Sequence, residues 1–186
     1  MVHLHMLWLP IVVSAVIVFF LSFLFHTVLP LHKSDHAKLP EEDRVMEALR
    51  GFRIPPGDYM MPCPTGPSAM KSPEFMKKRN DGPVALMTVM PNGAFGMGKS
   101  LGLWFVYLLI VGVFAAYVCS RSLEAGAHYL RVFRFAGVTA FACYAMASWQ
   151  ESIWYHRKWS TTIKNNFDGL IYALFTAGVF GWLWPR

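Results

Sequence analysis

The stretch GAFGMGKS, residues 93–100, has the spacing of a phosphate-binding loop, whose glycines expose backbone N–H groups and whose lysine reaches the terminal phosphates. That chemistry needs a buried parallel strand before the loop and a soluble helix after it. Here the apolar run LGLWFVYLLIVGVF follows directly, and no βαβ series supplies a sheet. We therefore do not expect a nucleotide as a ligand. The stretch indicates a turn into a membrane helix, with Ser100 as a candidate N-cap and with Gly98, Lys99 and Ser100 as a candidate lipid-phosphate contact.

Histidines next to apolar segments are the second source of possible chemistry, because such residues ligate haem, pigments or metals. His26 lies at the end of the first apolar segment, and Glu151 is expected at the same level at the end of the third. Lys164 and Asp168, spaced i, i+4, begin the last segment. His26, Glu151, Lys164 and Asp168 form a candidate polar latch. The most specific hypothesis is a His26–Glu151 contact, as a buried polar latch or as part of a proton or metal site, and the ordinary alternative is a hydrated or hydrogen-bonded polar residue near the interface.

Patterns that indicate an enzyme are absent from the sequence. We find no Ser-His-Asp arrangement, no paired deep carboxylates and no H-E-x-x-H motif. The three cysteines, Cys63, Cys119 and Cys143, have no zinc-site spacing and indicate no disulfide framework. We therefore expect a non-enzymatic protein with no catalytic residues, no cofactor and no metal ligands.

Composition places the chain among integral membrane proteins. Its 186 residues are 55% hydrophobic and 16% aromatic, which is more apolar than a soluble domain. The net charge of +6 is spread between the apolar segments and does not form one basic face. Contact with anionic lipid is thus the expected use of this charge, and nucleic acid is not an expected partner.

Four segments are long and apolar enough to cross a bilayer, which takes roughly 20 residues. They lie within residues 1–30, 101–120, 129–156 and 165–184. The first exceeds the apolar core of a signal peptide and lacks a basic start, so we expect it to be retained. In this arrangement all 7 tryptophans fall near an interface, as aromatic belts require. The predicted fold class is an all-α integral membrane protein, a bundle of four transmembrane helices with a long, partly ordered loop between the first two.

The loop, residues 31–100, contains its own structural signals. LPEEDRVMEALRG predicts a short amphipathic helix over 40–50, which starts near Pro40 and stops at Gly51. PVALMTVM predicts a strand, and SPEF predicts a helix that starts at Ser72. The loop has too few apolar residues for an independent core but too many for disorder. We expect either the bundle or a neighbouring subunit to hold it in place.

Small residues recur at helical spacing in the second and last spans, where they predict close helix packing. Such seams indicate a compact bundle, and they provide more small positions than four short contacts need. Internal packing of the bundle is the expected use of these positions, and a further seam for a partner helix is the alternative. The predicted packing positions are Gly112, Ala116, Gly169, Ala173, Ala177 and Gly181.

Lysines and arginines near the span ends favour an orientation with both termini outside and the large loop in the cytoplasm. The expected location of this multi-pass protein is the bacterial inner membrane. The expected function is a non-enzymatic accessory or structural subunit of a larger membrane complex, with other membrane subunits, the bilayer and anionic lipid as partners. One alternative is a small transporter or channel component with a polar path at His26, Glu151, Lys164 and Asp168. Another is a membrane enzyme or cofactor-binding protein that uses the cluster beside His26.

Overall fold

The structure of the protein, a computed structural model, describes residues 2–94 and 96–186. It is mostly helical and divides into two units, Met1–Ala37 with Gly96–Arg186, and Lys38–Phe95. The helices of the first unit are α1 (Leu4–Val28), α4 (Met97–Ser122), α5 (Tyr129–Tyr155) and α6 (Trp159–Trp182). The second unit contains α2 (Glu42–Gly51), β1 (Gly57–Met61), α3 (Pro73–Asp81) and β2 (Ala85–Val89).

The four long helices of the first unit pack in a ring, in which α1 and α5 each contact both α4 and α6. The interior of the ring is built mainly from alanines and branched residues. Small side chains let helix backbones approach closely, which is how helices associate where lipid provides no hydrophobic drive. The buried interior includes Val18, Leu108, Val111, Ala115, Val132, Ala136, Ala140 and Phe180.

The small residues that predict packing lie at helix contacts inside this bundle. A Cβ added at Gly169 would lie 2.9 Å from the Cβ of Ala145 in α5, and one at Gly112 would lie 3.1 Å from Cγ2 of Ile11 in α1. Gly181 lies directly against the Tyr129 ring. The other three positions, Ala116, Ala173 and Ala177, are buried. All six predicted positions are thus used within the bundle, so they do not by themselves provide a further seam.

Three of the described helices are long and apolar enough to cross a membrane: α1, α4 and α5. The helix α6 is of similar length, but its first half carries Lys164, Asn165, Asn166 and Asp168, which lower its overall apolarity. The helix α5 carries Arg131 and Arg134 in its first turns, yet it meets the requirement. The polar residues of α6 are what set that helix apart.

Two of the long helices contain a π-helical turn, Leu24–Val28 at the end of α1 and Ala142–Met146 within α5. A π turn inserts one extra residue into an α-helix, and such turns are frequent at functional sites. Each residue of an α-helix advances the helix face by about 100°. Residues after Met146 therefore face a different direction from the one that an uninterrupted helix would give them.

The second unit contains a two-stranded antiparallel sheet, so the chain is mostly helical rather than all-α, and the strand predicted in the loop is one of the two strands. Strand β2 lies within the segment PVALMTVM, and it pairs with β1 so that Tyr59 faces Met87. The helix α3 follows Ser72, whose Oγ accepts a hydrogen bond from the N–H of Phe75, as expected for an N-cap. None of the described residues of 38–94 is buried. This unit has helices and a sheet but no core of its own.

Candidate functional site

Five polar residues meet at one end of the four-helix bundle: His26, His32, Asp35, Lys164 and Asp168. We call them the histidine–aspartate cluster. His26 lies in the π turn that ends α1, and His32 and Asp35 lie in the irregular segment that follows. The chain leaves α1 at Leu29, because the residue before a proline disfavours helical geometry. Pro30 then starts a short 3-10 turn that directs His32 back towards α6.

His32 connects the two carboxylates of the cluster. Its Nδ1 atom lies 2.7 Å from Oδ2 of Asp35, and its Nε2 atom lies 2.8 Å from Oδ2 of Asp168. Carboxylate oxygens accept hydrogen bonds, so each ring nitrogen is placed to donate, Nδ1 to Asp35 and Nε2 to Asp168. The second contact joins the segment after α1 to the interior of α6. One imidazole ring thus fastens an irregular segment to the bundle.

Asp35 accepts hydrogen bonds from two side chains, those of Lys164 and His32. The Nζ atom of Lys164 donates to Oδ1 of Asp35 at 2.8 Å and to Oγ of Ser34 at 2.8 Å. Burial alone would raise the pKa of the Asp35 carboxyl, but hydrogen bonds from Lys164 and His32, together with their charges, outweigh it and hold the pKa at about 2. Asp35 is therefore a carboxylate at any physiological pH.

His26 stacks on His32, with ring centroids 4.3 Å apart and an angle of 6° between the planes. Its Nδ1 atom lies 3.0 Å from the backbone oxygen of Ser22, one helical turn earlier. A carbonyl oxygen only accepts, so this contact places the proton on Nδ1 and leaves the lone pair on Nε2. The Nε2 atom lies 3.8 Å from Oδ2 of Asp168. The lone pair thus lies beside a carboxylate, on a side chain that is 52% exposed.

Asp168 is the buried member of the cluster, with 3% of its surface exposed. Its Oδ2 atom faces the two histidines, but its Oδ1 atom has no hydrogen-bond partner among the described residues. The hydroxyl of Tyr172, one turn further along α6, is also buried without a partner in that part of the chain. Buried oxygen atoms that lack a partner are costly, and each one calls for an explanation.

The structure brings together three members of the predicted polar latch, His26, Lys164 and Asp168, but not Glu151. The side chain of Glu151 is exposed, and its backbone carbonyl accepts the N–H of Arg157. The expected His26–Glu151 contact is not found among the described residues. The π turn in α5 precedes Glu151 and rotates the rest of the helix, which a regular 3.6-residue period does not anticipate.

Sequence reasoning missed the roles of His32 and Asp35. Both were assigned to the loop, where no periodicity relates them to a helix face. The available signal was Pro30, because a proline so soon after a membrane helix favours a tight turn. A polar H-x-x-D pair behind such a turn is within reach of the first polar residues of a neighbouring helix.

The predicted lipid-phosphate contact lies in the first turn of α4. That helix begins at Met97 with Gly96 as its N-cap, so the prediction of Ser100 as the N-cap is wrong by a full turn. Met97 adds an apolar residue one turn before Leu101, where the predicted segment begins. Gly98, Lys99 and Ser100 are all exposed. Phe95, within the same motif, lies outside the described residues.

Comparison with models of known protein families, with curated proteins and with solved structures finds no match to this chain.

Proposed function

We propose that the chain is a four-span integral membrane protein that serves as a non-enzymatic subunit of a larger membrane assembly. The helices of the bundle expose large apolar side chains around their outer faces, which suits contact with lipid tails. Among the most exposed are Phe20, Leu103, Val138 and Trp182. The partners in this proposal are the bilayer, its anionic lipids and other membrane subunits.

The helix α6 is the proposed fourth span. Its 24 residues extend over roughly 36 Å at about 1.5 Å per residue, which exceeds the apolar thickness of a bilayer. Beyond Lys164, which lies at its start, the only Asp, Glu, Lys, Arg or His of the helix is Asp168, and this side chain is buried against His32. Ionisable residues in membrane helices usually face the bundle interior and pair there, as Asp168 does.

One observation carries the subunit proposal: residues 38–94 form an ordered unit with no buried residue. Its large apolar side chains are exposed, with Phe52 at 75%, Met90 at 65% and Met46 at 50%. An exposed apolar surface of this kind on an ordered segment is typical of a protein–protein contact. The proposed partner surface is apolar, and it covers these residues in the assembled complex.

The proposed location is the bacterial inner membrane, with residues 38–94 on the cytoplasmic side. The balance of lysine and arginine at the span ends supports this orientation. Lys99, exposed at the start of α4, is then close to anionic headgroups on that side.

Purification from native membranes in a mild detergent tests the subunit proposal. We expect partner chains to co-purify and to crosslink to residues 38–94. The variants Phe52→Ser and Met90→Ser should release the partner, whereas Glu47→Ser, a substitution at an exposed charged residue of the same unit, should retain it. A chain that elutes alone, with residues 38–94 resistant to protease, would contradict the proposal.

A further inference from the structure

We propose that His26, His32 and Asp168 form a binding site for a divalent transition metal ion of the zinc or iron(II) type. One ligand atom from each of the three residues lies within 4.8 Å of the other two. The residues come from three separate pieces of the fold: the end of α1, the segment after it and α6. This site goes beyond the proposed subunit role and does not depend on it.

The distances between the ligand atoms suit a metal ion. Bonds of roughly 2.0–2.2 Å to histidine nitrogen and carboxylate oxygen place neighbouring ligand atoms about 3–3.5 Å apart. The observed separations from Oδ2 of Asp168 are 2.8 Å to His32 and 3.8 Å to His26, on either side of that range. The two rings are stacked in this structure, so ion binding requires them to turn until both Nε2 lone pairs point at the ion, and it displaces any proton that His32 donates to Asp168 through Nε2.

Both histidines already have the outer contacts that metal-binding histidines use. Such a histidine donates its second ring N–H to a carbonyl or carboxylate, which fixes the tautomer and the ring orientation. The Nδ1 atom of His26 contacts the backbone oxygen of Ser22 at 3.0 Å, and that of His32 contacts Asp35 at 2.7 Å. Lys164 in turn holds Asp35 in place. The Nε2 atoms of both rings therefore face Asp168.

The partnerless oxygen of Asp168 is an independent indication of a ligand. The side chain is buried, yet Oδ1 has no hydrogen-bond partner among the described residues. A carboxylate coordinates metals through one or both oxygens, so a bound ion accounts for a group that is otherwise costly to bury.

The donor set defines the class of ion. Two imidazoles and one carboxylate suit zinc and iron(II), and they leave further coordination positions for water or another ligand. Calcium and magnesium prefer sites made entirely of oxygen, so they fit poorly here. Because His26 is half exposed, the open positions have access from its side of the cluster.

Cobalt(II) is a suitable probe, because its visible absorption reports both occupancy and coordination. The full chain, produced without a polyhistidine tag, is purified in detergent, treated with a chelator and titrated with Co²⁺. We expect one ion per chain and its displacement by Zn²⁺. His26→Ala and Asp168→Asn should weaken binding by more than the roughly 10- to 100-fold that loss of an outer-shell partner typically costs. His36→Ala, which removes an exposed histidine outside the cluster, should bind as the unchanged protein does.

His26→Ala decides the result if the buried Asp168 variant fails to fold, because a half-exposed side chain can be removed with little effect on packing. Its fold is checked by circular dichroism and by elution volume. Absence of a cobalt spectrum in the unchanged protein would overturn the proposal. Equal affinity in the unchanged, His26→Ala and His36→Ala proteins would also overturn it, since binding would then lie elsewhere.

Discussion

The Nε2 atom of His32 lies 2.8 Å from the Oδ2 atom of Asp168, although 136 positions separate the two residues in the sequence. This contact fastens the irregular segment after α1 to the interior of α6. Asp35 and Lys164 make a second link between the same two pieces, at 2.8 Å. One end of the bundle is therefore closed by side chains rather than by a regular helix contact.

Loss of the Lys164 ammonium group should loosen this closure. In Lys164→Met the aliphatic stem remains, but Asp35 loses its lysine partner and keeps only His32. Leaving a partly buried carboxylate without one of its donors costs roughly 1–3 kcal/mol. We expect faster amide hydrogen exchange in residues 31–37 and little change in α4. Lys99→Met, at an exposed position, is the matched control, and equal exchange in the two variants would refute the link.

The thermal stability of the metal-free protein should depend on pH through the Asp35 carboxyl. Its pKa is about 2 in the folded protein, whereas an aspartate in an unfolded chain titrates near about 3.9. A carboxyl whose pKa is lowered by folding stabilises the folded state. This contribution is complete when the pH is above the pKa of the unfolded state, and it is lost as the pH falls through the pKa of the folded state. The difference in thermal midpoint between the unchanged protein and Asp35→Asn should be constant from pH 7 to about pH 4. It should then become smaller as the pH is lowered towards about 2. A difference that disappears near pH 6 would contradict this assignment.

The contact of α6 with α5 should tolerate no side chain at Gly169. A Cβ there would lie 2.9 Å from the Cβ of Ala145, and neither atom belongs to a flexible chain that can move aside. Gly169→Ala must separate the two helices, which typically costs about 1–3 kcal/mol. Gly102→Ala in α4 meets no atom within 4 Å and serves as the control. Thermal unfolding in detergent should show a loss for the first variant only.

Ser152 of α5 and Thr162 of α6 share a buried hydrogen bond of 2.6 Å between their hydroxyl groups. Thr162→Val leaves the Ser152 hydroxyl buried without that partner, which typically costs about 1–3 kcal/mol. Replacing both residues, with Ser152→Ala added, removes the stranded group. We therefore expect the double variant to be more stable than Thr162→Val alone. Additive losses in a double-mutant cycle would show that the two hydroxyls do not interact.

Cysteine labelling can determine the orientation of the protein. Cys63 is exposed in the second unit, whereas Cys119 is buried within α4. With residues 38–94 in the cytoplasm, a membrane-impermeant maleimide should label Cys63 in inverted membrane vesicles and not in intact cells whose outer membrane has been made permeable. Cys63→Ser should abolish the signal. Labelling in those cells would reverse the proposed orientation.

Much of the fold could be predicted from apolar segments and local signals. The apolar runs in α1, α4 and α5 are long enough to indicate helices, and Ser72 identifies the start of α3. Pairing of β1 with β2 was not predicted, because 23 residues lie between Met61 and Ala85 and no turn motif relates the two strands. Local patterns specify an element, whereas partners distant in sequence depend on the packing of the whole chain.

The site could be predicted only in part, for the same reason. Helical spacing and polarity placed His26, Lys164 and Asp168 at one end of the bundle. The residues that connect them, His32 and Asp35, lie in a segment with no repeating geometry. Glu151 was expected among them because α5 was treated as a regular helix. Its π turn, Ala142–Met146, has no distinct sequence pattern and changes the direction of every residue after it.

That π turn makes α5 a helix with two angular registers. Up to Phe141, alanines such as Ala136 and Ala140 face the interior, and after Met146 a separate set of residues, including Ser152, takes that position. Deleting one residue between 142 and 146 would restore a continuous α-helix and merge the two registers. The first half could then stay in place only if Ser152 rotated by about 100° away from Thr162. The extra residue thus allows the two ends of one helix to turn differently spaced sets of residues towards the bundle interior.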